Sequence, residues 1–512
     1  MKQIKKFLIP LPIFLVATLY FARIAFNDLP FYYKGLSDPS YSYFEAALHI
    51  AKGEFPRYVD HPGAPIEYIG AITFKITYWW IGKGNFTEDA LNRSELYLRN
   101  WRFVLIAIAL VSIYIGGFYI FKLTNCIWTT FLIQTSPFLS TSILGDIHRF
   151  QTISPEIFFI PLGITWLIFF AKFLKKIDRE NLFKICVNSA CLVGLMIATK
   201  LTFLPFAIIA LFWLPSWRLR LYYVVFTILF FLLFAFAQFF SSDKLFIWTR
   251  DLFFSSGAYA TGERTIINPT EFINNLTSFV QNDFLFALCT LLNISVILLK
   301  KNLQQHYRKT LLGITASQIL FIVMNAKHYV HSYYIYGGIF LIPASFGLLY
   351  LIFEKITIRK NIVGISVVIG VFFTSYHLYR TFSVNLSYQK EEVLQVENFY
   401  QKYPNTMVVT QFEAISLPYA LSLGISAYEK DLGNPYGDFL KKKYPNDFFY
   451  HNDTYTYWGK KINIDSVIRQ KDTFMFHHGL IDVPRKDFQG FLVRDSLITA
   501  SGNKIYVYIK NK

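Results

Sequence analysis

Four short stretches of this chain gather the residue types that move protons or hold anions. The first runs from Gly35 to Ala71. It carries Asp38-Pro39 ahead of Tyr41, Phe44, Leu48 and Ala51 at helical spacing, then Asp60-His61-Pro62-Gly63-Ala64-Pro65 ahead of an apolar run. The second, Gly145 to Glu156, packs Asp146, His148, Arg149 and Glu156 into twelve positions. The third is Lys200, a single cation in an apolar hairpin, and the fourth is Lys327-His328-Tyr329-Val330-His331. A carboxylate held near a hydroxyl is a proton acceptor. Cations aimed at a departing oxyanion stabilise it most where water is scarce, and arginine grips phosphate with two parallel bonds. His328 and His331 stand three apart on one helical face, with Lys327 beside them. Two histidines need a third ligand from elsewhere to hold a metal, so anion binding is the better reading of that group.

Each of these residues also has a plain structural reading. Asp38 suits an N-cap with Pro39 at the first helical position, and Asp60 to Pro65 suits a rigid turn. Ser154-Pro155-Glu156 is a helix start whose acid favours the dipole, which leaves Asp146, His148 and Arg149 unexplained. Lys200 can snorkel to an interface. The polar loop 241–283, with Gly257, Gly262, Glu263 and Arg264, reads as a lid over a site or as an exposed connector.

The elements that must position these residues are set by composition. The chain has 512 residues, 54% hydrophobic, 19% aromatic and 16% charged, with mean hydropathy +0.36. Soluble chains carry about 25% charged residues, so soluble, disordered and coiled-coil classes are excluded. The net charge of +17 comes without any nucleic-acid-binding motif, so no nucleic-acid partner is expected. The charge fits basic residues collected in inner loops. Cys126, Cys186, Cys191 and Cys289 lie in or beside apolar runs, which argues against a disulfide framework or a thiolate metal cluster. A span takes about 20 apolar residues. Candidates fall at 7–26, 102–121, 126–144, 156–173, 183–199, 201–214, 221–240, 284–299, 310–326, 334–353 and 361–379, about eleven. With the N-terminus inside, every basic cluster between spans lands on one side, and the four chemical stretches gather on the other. Residues 66–82, with Glu67 and Lys75, read as an interfacial or re-entrant helix. The expected fold class is an all-α polytopic membrane protein with a small extracytoplasmic α/β C-terminal domain, divided as 1–380 and 381–512. In the tail, 390–402 and 416–423 read as helices, 406–412 and 504–510 as strands.

An acid before a surface helix, a His-Pro turn before a second helix, and a basic second loop ending in Ser154-Pro155-Glu156 resemble the GT-C membrane glycosyltransferases. The nearest branch is the one related to protein O-mannosyltransferases and lipid A aminoarabinose transferases. Gly194-Leu195, Ala198-Thr199-Lys200 and the Lys327 to Tyr334 stretch are similar to that group too, over about residues 1–380. Many members carry Asp-Glu in the first loop, where this chain has Asp38-Pro39 and a single acid. The resemblance implies a polyprenyl-phosphate sugar donor and inverting transfer to an acceptor hydroxyl at the extracytoplasmic face, in cell-envelope glycan, glycolipid or glycoprotein synthesis. It makes Asp38 the base, assisted by Asp146. Arg149, Lys200, Lys327 and His331 become the cations for the donor phosphate. Asp60, His61, His148, His328 and Arg264 shape the acceptor side.

No resident cofactor is expected, with a divalent metal left open, and the acceptor is a glycan, a lipid or a protein. The implied location is a multi-pass integral protein of a bacterial inner membrane, the tail outside. Two other readings compete. A transporter or flippase predicts ionisable residues at mid-membrane and broken spans in paired halves, which the apolar span interiors do not offer. A polymerase or ligase of lipid-linked glycans is separated only by the first-loop pattern.

Overall fold

The computed structural model describes residues 7–26, 28–33, 36–56, 63–139, 151–175, 182–257, 262–328, 335–353, 386–411, 414–426, 436–451, 454–478, 488 and 490–511. Helices dominate the first 353 residues. In order they are α1 (Leu11–Ala25), α2 (Ser37–Lys52), α3 (Ala64–Ile81), α4 (Phe86–Asn92), α5 (Ser94–Thr124), α6 (Ile127–Thr135), α7 (Pro155–Lys175) and α8 (Leu182–Thr199). Then come α9 (Phe206–Trp213), α10 (Trp217–Phe234), α11 (Ser242–Phe254), α12 (Pro269–Asn282), α13 (Phe284–Leu299), α14 (Gln305–Lys327), α15 (Ile335–Gly338) and α16 (Leu341–Ile352).

Local signals place the ends. The Asn85 side chain accepts from the Thr87 and Glu88 amides to start α4, and Asn268 accepts from Glu271 to start α12, satisfying donors that a helix start leaves open. Gly53, at φ +80°, closes α2 in the left-handed conformation. Among the described residues five helices are long and apolar enough to cross a membrane: α5, α7, α8, α10 and α14. The polar α12 leads into apolar α13 through a 98° bend, and the pair would make a sixth. The expected spans at 7–26, 201–214 and 334–353 appear as shorter apolar helices. The 126–144 segment opens with the nine residues of α6 and a 3-10 turn at Ser136–Phe138. Residues 361–379 lie outside the described ones. A faint hydrophobic run therefore marks apolar helix without fixing whether it is long enough to span.

α7 packs along α5, α8 along α10, and α9 along α14. The outward face of α10 stays bare: Leu221, Ile228, Leu229 and Leu233 are at least half exposed. A water-soluble surface rarely tolerates such a stripe, whereas lipid does, and the chain has the make-up of an integral membrane protein. Trp79 and Trp80, 85% and 80% exposed at the end of α3, suit an interfacial aromatic belt. Gly70 lets α3 approach α5: a Cβ there would lie 2.5 Å from Cζ2 of Trp101.

The tail is an α/β layer. Helix α17 (386–401) leads to β1 (Met407–Gln411), then α18 (Leu417–Ser426), α19 (Gly437–Lys443), β2 (Asp447–His451), β3 (Thr454–Tyr457), β4 (Lys460–Lys461), α20 (Ile464–Ile468), β5 (Thr473–His478), β6 (Phe491–Ile498) and β7 (Lys504–Lys510). The sheet order is β4-β3-β2-β1-β5-β7-β6. β1 pairs in parallel with β2 and β5, and the other neighbours are antiparallel. One face of this sheet shares a core with the first polar loop. Leu29, Tyr33 and Leu36 pack among Val393, Val396, Phe399, Val408 and Val507. Polar ties reinforce the joint: Tyr33 Oη donates to Glu392 at 2.8 Å and Tyr32 Oη to Glu397 at 2.6 Å. On the same side α18 packs against α2.

Candidate functional site

Asp38 sits where the chain enters α2. Its backbone is extended, φ −102° and ψ 122°, with helix following from Pro39; this is the backbone of an N-cap residue. Its side chain is half-buried. The start of α2 is held from three directions. The Ser40 hydroxyl accepts from the Ile153 amide at 3.1 Å, which joins the first loop to the second. Glu95 of α5 accepts from the Phe31 amide at 2.9 Å and from Tyr41 Oη at 2.8 Å. Arg102, 1% exposed, lies 4.7 Å from the Phe31 ring and donates to the Ala25 carbonyl at 3.2 Å and the Gln151 carbonyl at 3.5 Å. Asp38 thus rides on a rigid mount rather than on a loose loop.

Lys200 interrupts the hairpin between α8 and α9, in extended conformation before the 3-10 turn Leu201–Phe203. Read from sequence as a lone cation, it is ion-paired: Nζ lies 2.8 Å from Oε1 of Glu156 at the start of α7, and both are buried. The Thr199 carbonyl accepts from the Gly63 amide at 3.2 Å. Gly63 follows His61-Pro62 in the sequence and adopts φ +55°, a conformation that costs other residues energy. The ends of four sequence segments, at Ser40, Gly63, Ile153–Glu156 and Thr199–Lys200, are therefore joined by short bonds.

A further buried carboxyl belongs to the same neighbourhood of α3. Oε1 of Glu67 accepts from Gln238 Nε2 at 3.1 Å, while Tyr68 Oη accepts from the Ala237 amide at 3.1 Å. Oε2 of Glu67 is buried without a hydrogen-bond partner. Sequence reading noted Glu67 only as an interruption in an apolar run; its distance from Gln238 in the chain hid the pairing. His49 was likewise unassigned. Its Nδ1 is 2.8 Å from Glu54, and its ring is 5.2 Å from that of Tyr436 in the tail. The His49–Glu54 spacing around Gly53 was the available signal.

Lys327 and His328 do a local job. Lys327 Nζ donates to the Leu252 carbonyl at 2.9 Å and to that of Phe253. His328 Nδ1 lies 2.8 Å from the Gly257 carbonyl and Nε2 2.7 Å from that of Leu252. Both residues serve the carbonyls that α11 leaves open at its end, and burial pulls the His328 pKa down. Arg264 is exposed in the connector before α12. Asp60, His61, Asp146, His148, Arg149 and His331 lie outside the described residues. Among the described residues no group of three or more His, Cys, Asp or Glu could hold a metal ion.

Five helices of spanning length among the described residues and an α/β tail seated on the first polar loop make a mostly helical chain with a C-terminal sheet domain, and a likeness of fold to a solved structure runs along its length. The chain is similar to the crystal structure of ArnT from Cupriavidus metallidurans bound to undecaprenyl phosphate: TM-score 0.50, 11% identity, 97% of each chain covered. No model of a known protein family matches, nor does any curated protein.

Proposed function

We propose that this chain is a membrane glycosyltransferase that moves a sugar from a polyprenyl-phosphate donor to an acceptor hydroxyl at the extracytoplasmic face. The observation that carries the reading is the joining of Ser40 to Ile153, Gly63 to Thr199 and Lys200 to Glu156, which links the start of α2, the residue before α3, the approach to α7 and the end of α8. It is supported by a whole-chain likeness of fold to a protein solved with undecaprenyl phosphate. In the proposed step the acceptor oxygen attacks the anomeric carbon and the bond from that carbon to the phosphate oxygen breaks. The hydroxyl proton passes to Asp38, and polyprenyl phosphate leaves as an anion. Attack opposite the leaving group inverts the centre. Asp146 aids Asp38, and Arg149, Lys200, Lys327 and His331 stabilise the leaving phosphate. Lys200 does so while bonded to Glu156, which fixes its ammonium in one place. Asp60, His61, His148, His328 and Arg264 frame the acceptor.

The direct test is binding of undecaprenyl phosphate to the purified protein, compared with Arg149→Ala and Lys327→Ala. Saturable binding that both variants weaken supports a lipid-phosphate site. An absence of binding in the wild type overturns the reading and favours a transporter.

A further inference from the structure

The tail has features that the transfer reading does not use. β1 connects to β2 through α18 and α19 on one side, while β5 lies on its other side. The two crossovers occupy opposite faces. Tyr419 of α18 packs near Phe449, whereas Ile464 and Ile468 of α20 pack with Val409, Phe448 and Phe476. Right-handed crossovers running in opposite directions require this, and they make β1 a topological switch point. In open α/β sheets ligands bind outside the carboxyl ends of the strands at such a point.

The residues at those ends fit a hydroxyl-rich ligand. Side chains alternate along a strand, so the face of Val409, Phe448 and Phe476 continues outward to Gln411, Tyr450 and His478. The register agrees: Gln411 stands opposite Tyr450, and Thr410 opposite His477 sets His478 beside Gln411. Tyr450 and Tyr455 are half-buried with ring centroids 4.7 Å apart. Gln411 is 2% exposed, and its Oε1 has no hydrogen-bond partner. A buried amide oxygen left unbonded costs free energy unless something donates to it. Elsewhere in the sheet Thr410 Oγ1 and Thr456 Oγ1 are also buried without a hydrogen-bond partner, whereas His477 is satisfied: its Nδ1 accepts from Tyr400 Oη at 2.7 Å and its Nε2 donates to Asn503 Oδ1 at 3.0 Å.

We propose that the carboxyl ends of β2, β1 and β5 form a carbohydrate-binding site, separate from the membrane site. A sugar hydroxyl donates to Gln411 Oε1, and the Tyr450–Tyr455 rings pack against the apolar face of the pyranose. Aromatic surface beside a few fixed polar groups is the usual make-up of such a pocket.

The test uses the full chain in nanodiscs of phosphatidylcholine, free of glycolipid and sugar-headed detergent. Saturation-transfer NMR is recorded with glucose, mannose, galactose and N-acetylglucosamine as probes. At least one probe should show transfer, weakened at least fivefold in Gln411→Leu and in Tyr450→Ala but unchanged in Asp38→Asn. Gln411→Leu removes an unbonded oxygen at similar volume, so it should unfold no earlier than wild type. Absence of transfer from every probe, or equal transfer in both tail variants, overturns the proposal. So does loss in Asp38→Asn alone, which would move the bound sugar to the membrane site. Failure of undecaprenyl phosphate binding would leave this result untouched.

Discussion

Lys200 and Glu156 are 2.8 Å apart and both are at most 2% exposed, so the two charges offset each other out of water. Glu156→Gln takes a counter-charge away from a buried ammonium and is expected to cost about 3–5 kcal/mol. Pairing it with Lys200→Met should restore most of that loss, because an apolar replacement of a buried pair is close to neutral. Transfer should remain absent in the double variant. Thermal unfolding and a transfer assay on the same preparations read the two effects apart, and full activity in the double variant would make the pair purely structural.

Asp38→Asn keeps the shape of the residue and the extended backbone from which α2 starts. Folding and donor binding should change little, while turnover should fall by at least about 100-fold, the lower end of what general bases supply. A fully active Asp38→Asn protein would remove this residue as the base.

Arg149→Ala and Lys327→Ala should differ. Arg149→Ala is expected to weaken both undecaprenyl phosphate binding and turnover. Lys327→Ala also strips a donor from the Leu252 and Phe253 carbonyls, so it should loosen the end of α11 as well. Hydrogen exchange over 242–257 should rise in Lys327→Ala and stay unchanged in Arg149→Ala.

His477 gives the tail a pH dependence of defined sign. Burial lowers its pKa to about 3, and a neutral ring satisfies both contacts by accepting from Tyr400 and donating to Asn503. The unfolded chain binds a proton near pH 6.5; the folded chain does not. Stability from this group is therefore complete above about pH 6.5 and is lost as pH falls towards 3, at up to about 1.4 kcal/mol per pH unit. Unfolding of wild type and His477→Gln across pH 4–7 should differ by that slope; identical slopes would show that His477 does not titrate on unfolding.

Gly70 lies against Trp101, and a methyl group there would meet the indole at 2.5 Å. Gly70→Ala should destabilise the α3–α5 contact by about 1–3 kcal/mol, the usual cost of overpacking. Trp101→Phe in the same chain should recover part of it, as measured by thermal unfolding in detergent.

Much of this architecture is visible in the residues alone. Apolar runs marked α5, α7, α8, α10 and α14, because hydropathy is a local property. Lys504–Lys510 was readable as a strand from its alternation. Span length was less legible where proline or a polar break cuts the run, as at Lys200–Pro205. Pairings remote in sequence were not legible. Nothing near Lys200 announces Glu156, and nothing near Glu67 announces Gln238. Glu156 was accounted for as a helix-start acid, a reading satisfied locally that concealed its ion pair. The joint between Leu29, Tyr33 and Leu36 and the tail was hidden for the same reason: residues hundreds of positions apart share a core only once the sheet exists.

That joint bears on the order in which the protein is made. Leu29, Tyr33 and Leu36 leave the ribosome long before Ile505 and Val507, which pack in the same cluster. Leu29, Tyr33 and Leu36, which lead towards Asp38, therefore wait, incompletely packed, until β7 has been made. A chain that stops short of β7 would keep all five helices of spanning length found among the described residues and still lack the support beneath its proposed base. The arrival of β7 thus acts as a checkpoint, and copies that lack it are expected to lack transfer as well.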